Sequence, residues 1–373
     1  MSFFQNHSGW PLVPLKNVAT LKRGYDLPVG ARNEGTVPIY AANGRSGVHD
    51  ELKIKGPGVI TGRSGTIGKV HYCEEGFWPL NTALYVMDFH GNHPRWVYYM
   101  LSSFKLERFS EGAGVPTLNR NLVHDEMIPL PPLHEQKRIA DILDKADAIR
   151  RKRRQATQLA DDFLRAVFLD MFGDPATNPK GWEAFTLADV VRKGSIITYG
   201  IVQAGEHVDG GVPYIRTGDF KGGKLARSGY ACTSADIANK FKRSEVGLGD
   251  IVYCIRASVG SADVVPDFLV GANLTQGTAK ISPAHDMKAE FLVELLRSAA
   301  FRSWIDKNSK GATFKEITLA RLREAPVFKP PMFEQEAFIS IKKIVMERLA
   351  VKFQEADVPL FESLSQKAFS GQL

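Results

Sequence analysis

The sequence predicts an α+β protein written twice: two mixed domains, each followed by a long helix, with the two helices forming an antiparallel coiled-coil pair. Three observations carry this. An internal repeat runs through most of the 373 residues. The first part of each copy is Gly-rich with short β-branched and aromatic runs, and the second part is an amphipathic run that begins at paired prolines. The length alone exceeds what one hydrophobic core usually serves.

The repeat comes first, because missing it would misread the whole architecture. Gly112-Ala113 through Pro131-Pro132-Leu133-His134-Glu135-Gln136 recurs without a gap as Gly311-Ala312 through Pro330-Pro331-Met332-Phe333-Glu334-Gln335, at an offset of 199. Upstream, Thr66, Ile67, Gly68 and Asn81 match Ser258, Val259, Gly260 and Asn273 at 192, Val37-Pro38 matches Val212-Pro213 at 175, and Gly9-Trp10 matches Gly181-Trp182 at 172. An offset that only grows along the chain describes one scaffold carrying loop insertions. A period this long is two copies of a domain-plus-helix unit, not a solenoid.

Within each copy, Val59-Ile60, Ala83-Leu84-Tyr85-Val86 and Asp250-Ile251-Val252-Tyr253 read as short strands between Gly-rich turns. Residues 93–106 and 287–305 carry helical stripes, Trp96, Tyr99 and Met100 in one and Phe291, Leu295 and Leu296 in the other. The paired prolines mark helix entries. From Ile139 the apolar positions Ile142, Leu143, Ala146, Ile149, Ala156, Ala160, Phe163, Leu164 and Val167 follow at three- and four-residue spacing, interrupted by Arg153, and Gly173 with Asp174-Pro175 supplies the stop. The C-terminal run, Ile341, Ile344, Val345, Val351, Phe361, Leu364 and Ala368, is weaker, and Pro359 predicts a break in it. Each apolar stripe needs a partner, and the other helix is the nearest one. The expected seam joins Ile139, Ile142, Ile149 and Phe163 to Ile341, Val345 and Leu364. The expected segments are 1–132, 133–173, 174–330 and 331–373.

Composition narrows the function classes. A net charge of +7 and a pI of about 9.1 give a positive field that attracts a polyanion. Cys73, Cys232 and Cys254 form neither an even framework nor a Cys-x-x-Cys pair, so neither a disulfide framework nor a structural zinc site is supported. No apolar run approaches the ~20 residues that cross a bilayer and no leader is evident, so a soluble, cytoplasmic protein is expected.

Catalytic motifs fail on detail. Gly62 through Val70 superficially resembles a phosphate loop, but five residues separate Gly62 from Gly68 where four are needed, and Val70 stands where a hydroxyl should meet magnesium. His134-Glu135 could open a zinc-protease motif, yet Arg138 takes the place of the second histidine. No Asn-Pro-Pro-aromatic motif for methyl transfer to an exocyclic amine occurs, and Glu51-Leu52-Lys53 has no supporting Pro-Asp pair upstream. Neither methyl transfer nor cleavage is expected of this chain.

The paired prolines followed by Glu-Gln and an apolar helix, present twice, resemble the conserved regions of type I restriction-modification specificity subunits. The ending Phe361 through Leu373 is similar to that family's C-terminal signature, and Val212 through Asp219 and Gly249 through Gly260 resemble its target-recognition domains. The resemblance implies two α+β target-recognition domains that each read half of a split double-stranded DNA target, separated by helices that act as a ruler and dock modification subunits. Two methyltransferase subunits would join one such chain, and helicase-nuclease restriction subunits would add cleavage. S-adenosylmethionine, ATP and magnesium are then expected on the partners and no cofactor on this chain. The first copy departs from the pattern at Tyr40-Ala41-Ala42-Asn43, where the second has Ile215-Arg216-Thr217-Gly218. Alternatives are a stand-alone DNA-binding regulator of the same fold, which would bind specifically without partners, and a self-contained nuclease or ATPase, which would turn over DNA or ATP.

Base reading needs side chains that present paired donors or acceptors. The loop candidates are Tyr40, Asn43, Arg45, Arg63, Ser64 and Lys69 in the first copy and Tyr199, Gln203, Arg216, Asp219, Lys221 and Arg256 in the second. The densest positive run, Arg150 through Arg154, reads equally as a solvated helix face or a contact to the DNA backbone. A helix of about 35 residues is about 50 Å long at 1.5 Å per residue, or about one and a half turns of B-DNA. Inserting helical turns there is expected to lengthen the unread gap and leave both half-sites unchanged, which methylome sequencing of a host carrying the variant measures.

Overall fold

The structure, a computed structural model, describes residues 3–112, 114–311, 315–352 and 360–373. Ala113, Ala312 and Pro359, which figure in the sequence pattern above, lie outside the described residues. The chain divides into two compact units, one made of Met1–Gln155 with Gln354–Leu373 and the other of Ala156–Phe353.

The first unit opens on a turn in which the Asn6 amide accepts the Trp10 N–H at 3.1 Å and donates to its carbonyl at 2.7 Å, around Gly9 at φ +66°. Its main sheet is antiparallel, in the order Thr20–Arg23, Ala83–Asp88, Gly58–Gly62, Val70–Cys73. A second sheet sets Val37–Ala41 between antiparallel Gly44–His49 and parallel Trp78–Pro79. Helix α1, Pro94–Ser103, starts on proline and buries Trp96, Tyr99 and Met100, the expected stripe. Helix α2, Arg120–Asp125, is capped by Asn119. Leu12–Pro14 pairs with Met127–Pro129, and the chain then enters α3, Leu133–Phe172, a 40-residue helix about 60 Å long. Gly173 ends it at φ +79°, with its N–H on the Leu169 carbonyl.

The second unit repeats the scheme. Asn178 brackets Trp182 as Asn6 brackets Trp10, around Gly181 at φ +67°. Ala184–Thr186 pairs with Pro326–Phe328, the four-stranded order is Thr198–Tyr199, Thr278–Ile281, Ile251–Cys254, Ala262–Val264, and Val212–Ile215 lies between antiparallel Ala231–Thr233 and parallel Asn273–Leu274. Its helices are α4, Ala235–Lys240; α5, Ala289–Arg297; α6, Ala299–Asn308; α7, Leu319–Arg323; and α8, Met332–Lys352. The single helical patch read at 287–305 is two helices, because Ser298 turns extended and caps α6 by accepting the Phe301 N–H. One correspondence read from the sequence also shifts. Asn273 pairs with Tyr214 as Trp78 pairs with Ile39, so its counterpart is Trp78, and Asn81 answers to Gln276. The loop after Gly260 is three residues longer than the loop after Gly68.

Each unit has its own core. In the first, Leu21, Val59, Leu84 and Trp96 pack with Ile139, Ala140 and Leu143 of α3 and with Ala368 and Phe369 of the last helix, α9, Leu360–Ser370. In the second, Ile251, Tyr253, Phe291 and Leu295 pack with Phe168 and Phe172 of α3 and Phe338 of α8. Helix α9 runs antiparallel to α3, with Phe361 under the Arg150 guanidinium at 4.1 Å and the Leu373 carbonyl at the Arg138 guanidinium. The residues of the expected seam differ in burial. Ile139 is buried, Ile142, Ile341, Val345 and Leu364 are half-buried, but Ile149 and Phe163 remain 42% and 52% exposed. The buried positions at that end of α3 step by four through Leu164, Phe168 and Phe172, and Phe163 lies one residue, about 100°, off that line. At Ile149 the facing helix offers Phe361 and Glu362 to the neighbouring Arg150 instead.

The repeated glutamine explains how each helix is seated. Gln136 is 2% exposed; its oxygen accepts the His93 N–H at 2.8 Å, and its nitrogen donates to Asn92 Oδ1 at 2.8 Å and the Pro131 carbonyl at 2.9 Å. Gln335, 0% exposed, accepts the Lys288 N–H at 2.8 Å and donates to the carbonyls of Pro330 at 2.8 Å and Asp286 at 3.2 Å. His93 and Lys288 are the N-caps of α1 and α5, and neither makes a side-chain cap of its own. Ion pairs finish the docking with opposite polarity. In the first unit Arg95 of α1 meets Asp144 of α3 at 2.6 Å; in the second Glu294 of α5 meets Lys342 of α8 at 2.8 Å and Arg297 at 3.0 Å.

Gln136→Leu and Gln335→Leu leave a buried N–H and a buried carbonyl without partners, at about 1–3 kcal/mol for each unsatisfied group. A loss of about 3 kcal/mol in the corresponding unit is expected, read as a lower denaturation midpoint at unchanged slope. Burial raises the Glu294 pKa, but Lys342 and Arg297 outweigh it and hold the carboxyl below its ordinary value. Its contribution is complete above the ordinary pKa of about 4.3 and disappears as pH falls through the lower folded value. Acid unfolding of the second unit is expected to move to higher pH in Glu294→Gln, measured by circular dichroism across a pH series.

Candidate nucleic-acid interface

In the first unit the candidates gather on two neighbouring loops. Strands 37–41 and 44–49 pair Tyr40 with Arg45 and Ala41 with Gly44, which leaves Asn43 exposed at the tip of a two-residue turn. Gly44 sits at φ +116°, where a Cβ would meet the His71 ring at 2.9 Å. Tyr40 is held edge-on by Phe77, with ring centroids 6.0 Å apart, and burial together with Cys73 pushes its phenol up to about 12, so it presents a hydroxyl donor at neutral pH. The loop from Gly62 folds back on this hairpin: a Cβ on Gly62 would lie 1.6 Å from the Thr66 carbonyl oxygen and 3.0 Å from that of Ala42. Arg63 and Ser64 both direct their N–H groups to the Thr82 carbonyl, and the Arg63 guanidinium donates to the Asn81 carbonyl at 3.1 Å. Lys69 is exposed at the end of the loop.

In the second unit the same loops carry different chemistry. Arg256 occupies the place of Ser64 and Ile255 that of Arg63, since both direct N–H groups to the Gly277 carbonyl as their counterparts do to Thr82. Arg256 Nε donates to Glu316 at 2.8 Å. Arg216 is gripped by Asp219, which is 8% exposed; the carboxylate accepts the Arg216 N–H at 2.7 Å and its guanidinium at 3.0 and 3.3 Å. Asp219 thus aims Arg216 outward and spends its own acceptors inward. A Cβ at Gly277 would meet Thr217 at 2.8 Å and Arg256 Cβ at 4.0 Å, so the Arg216 and Arg256 loops lie side by side. Lys221 is exposed on a separate hairpin turned by Gly222 and Gly223, both at positive φ. Tyr199 stands on the outer strand of the main sheet and Gln203 in an exposed stretch beyond Ile201, so neither joins that pair of loops directly.

Sequence reasoning missed a cleft of about 320 Å³ in the first unit, lined by Arg23, Arg63, Thr117, Asn119, Arg120 and Asn121. Only Arg63 belonged to the expected set. Its neighbours come from positions 23 and 117–121, and no local pattern links those segments before the strands assemble. A cleft of about 420 Å³ in the second unit, at the start of α8, is lined by Trp182, Asp286 and Lys329, whose charges pair with each other. The basic run on α3 is partly committed: Arg150 and Arg151 both pair with Asp147, itself 6% exposed, while Lys152 and Arg154 face solvent. Among the described residues no cluster of His, Cys, Asp or Glu is arranged to hold a metal, and no helix is long and apolar enough to cross a membrane.

Comparison with known proteins bears on the duplicated fold. The model of the type I restriction modification DNA specificity domain matches residues 7–159 and again 179–350. The EcoBI specificity subunit of Escherichia coli is 25% identical over 316 residues, 75% of this chain and 65% of its own length. The MjaVIII specificity subunit of Methanocaldococcus jannaschii is 24% identical over 69% of this chain and 65% of its own. The chain thus spans about two thirds of the length of these relatives. The crystal structure of the type I restriction-modification S subunit of M. genitalium has the same fold, with a TM-score of 0.60 and 15% identity across 98% of this chain and 97% of that one. With both copies matched and the duplicated topology in place, the chain belongs to the type I restriction modification DNA specificity domain family.

Proposed function

We propose that this chain is the DNA-reading subunit of a type I restriction-modification complex, with each unit recognising one half of a bipartite duplex target and no chemistry performed on the DNA by the chain itself. The observation that carries the reading is the duplicated loop pair. One scaffold presents Tyr40, Asn43, Arg45, Arg63, Ser64 and Lys69 in one copy and Arg216 and Arg256 in the other, with Lys221 on a separate hairpin, on turns whose backbone is fixed by the strands beneath. Arg45, Arg216 and Arg256 can offer two donors to guanine and Asn43 a donor and acceptor to adenine, so the two sets favour different bases. Asp219 serves by orienting Arg216, and Tyr199 and Gln203 flank the second set. The charge of +7 supports the sequence-independent part of binding.

In this reading the helices space the two recognition events and dock two methyltransferase subunits, with restriction subunits added for cleavage. S-adenosylmethionine, ATP and magnesium belong to those partners, and the complex works in the cytoplasm. The failed phosphate-loop, zinc-protease and methyl-transfer motifs support a non-catalytic role for this chain.

Replacing residues 174–330 with the matching segment of a relative, followed by methylome sequencing of the host, tests the division of labour. The expected result is a methylated motif in which one half changes and the other stays as it was. A motif that changes in both halves, or in neither, overturns the reading.

A further inference from the structure

Resting on the DNA-reading role above, we propose that the three-arginine cleft of the first unit seats backbone phosphates and grips the duplex without regard to sequence, and that the second unit has no such seat. The charged lining of the cleft is wholly cationic: Arg23, Arg63 and Arg120. The carboxylate nearest to Arg23 is Asp26 at 3.9 Å, a loose pair between side chains 51% and 72% exposed. Arg63 uses one guanidinium nitrogen on the Asn81 carbonyl and keeps the rest of its fork. Arg120 is exposed, and its guanidinium makes no hydrogen bond or ion pair among the described residues. Asn119 is occupied on both sides, accepting the Asn121 N–H at 3.1 Å and donating to Glu111 at 3.0 Å, so it is not offered to a base edge. Beside the exposed Asn121 amide, what the cleft presents is a set of guanidinium donors, which match phosphate oxygens in charge and in geometry.

The internal repeat is a control for the alternative that the scaffold needs these cations. Arg23 lies opposite Leu84 as Tyr199 lies opposite Ala279, so strand register maps Arg23 onto Tyr199. The shared carbonyl contacts map Arg63 onto Ile255, and the gap-free offset of 199 maps Arg120 onto Leu319. The same fold therefore stands in the second unit with an aromatic and two aliphatic residues at these places, and Glu316 takes the position of Thr117. Three arginines converge where the architecture accepts none. Phosphate contacts fix position on the duplex and carry no sequence information, so the first unit supplies anchoring at a place where the described residues of the second do not.

The test is fluorescence anisotropy of labelled duplexes of unrelated sequence with the purified full chain over a series of salt concentrations, comparing wild type, Arg23→Gln/Arg120→Gln and Arg23→Lys/Arg120→Lys. The glutamine pair is expected to weaken binding about tenfold on every duplex and to lower the salt slope by about one for each phosphate that is no longer neutralised. The lysine pair, which keeps the charge, is expected to recover most of both, with unchanged circular dichroism in all three proteins. A glutamine pair that binds with the wild-type slope, or a weakening confined to one sequence, overturns the inference while leaving the DNA-reading role in place. A wild-type chain that binds no duplex even at low salt overturns the inference, and the exchange of residues 174–330 then tests the DNA-reading role separately.

Discussion

A single buried side-chain amide in each unit holds helix and domain in one arrangement. Gln136 and Gln335 reach from the first turn of their helices to the backbone N–H at the N-cap of a neighbouring helix, and hold their own entry carbonyl with the same amide. Burial makes the contact directional, because neither group has water to fall back on. The prolines just before each helix fix the approach of the chain, so the amide arrives where the N-cap needs it. Everything downstream, the direction of α3 from the first unit and of α8 from the second, starts from that seat.

The ion pairs that finish the docking differ in sign between the units. Arg95 on α1 faces Asp144 on α3, whereas Glu294 on α5 faces Lys342 on α8. An exchange of domain helices would place like charges together in a half-buried site, where repulsion is stronger than on an open surface. The glutamine gives both units the same geometry, and the charges distinguish them.

The loops after the Gly58–Gly62 and Ile251–Cys254 strands can diverge because the scaffold beneath them is backbone-determined. The N–H groups of Arg63 and Ser64 and those of Ile255 and Arg256 are held by equivalent carbonyls, so side chains change while the turn persists. Gly68 and Gly260 keep φ values of +89° and +92° at the same turn, a conformation other residues adopt at a cost. Two loops of different chemistry can thus stand on one fold.

By itself the sequence determined the duplication, the α+β class, the helix entries at Pro131-Pro132 and Pro330-Pro331, the stop at Gly173 and the buried stripe of Trp96, Tyr99 and Met100, since each is written in local spacing or in self-similarity. It named Gln136 and Gln335 as repeated residues without their purpose, because the N–H groups they serve lie more than forty positions away. Only the tertiary structure decided that Ile149 and Phe163 face outward, that Asp219 turns inward to Arg216, and that Arg23 and Arg120 join Arg63 around one cleft. Periodicity fixes which face of an element is apolar. What that face meets, and which distant charges share a hollow, follows from strand register and helix docking, which bring together residues that local pattern leaves unrelated.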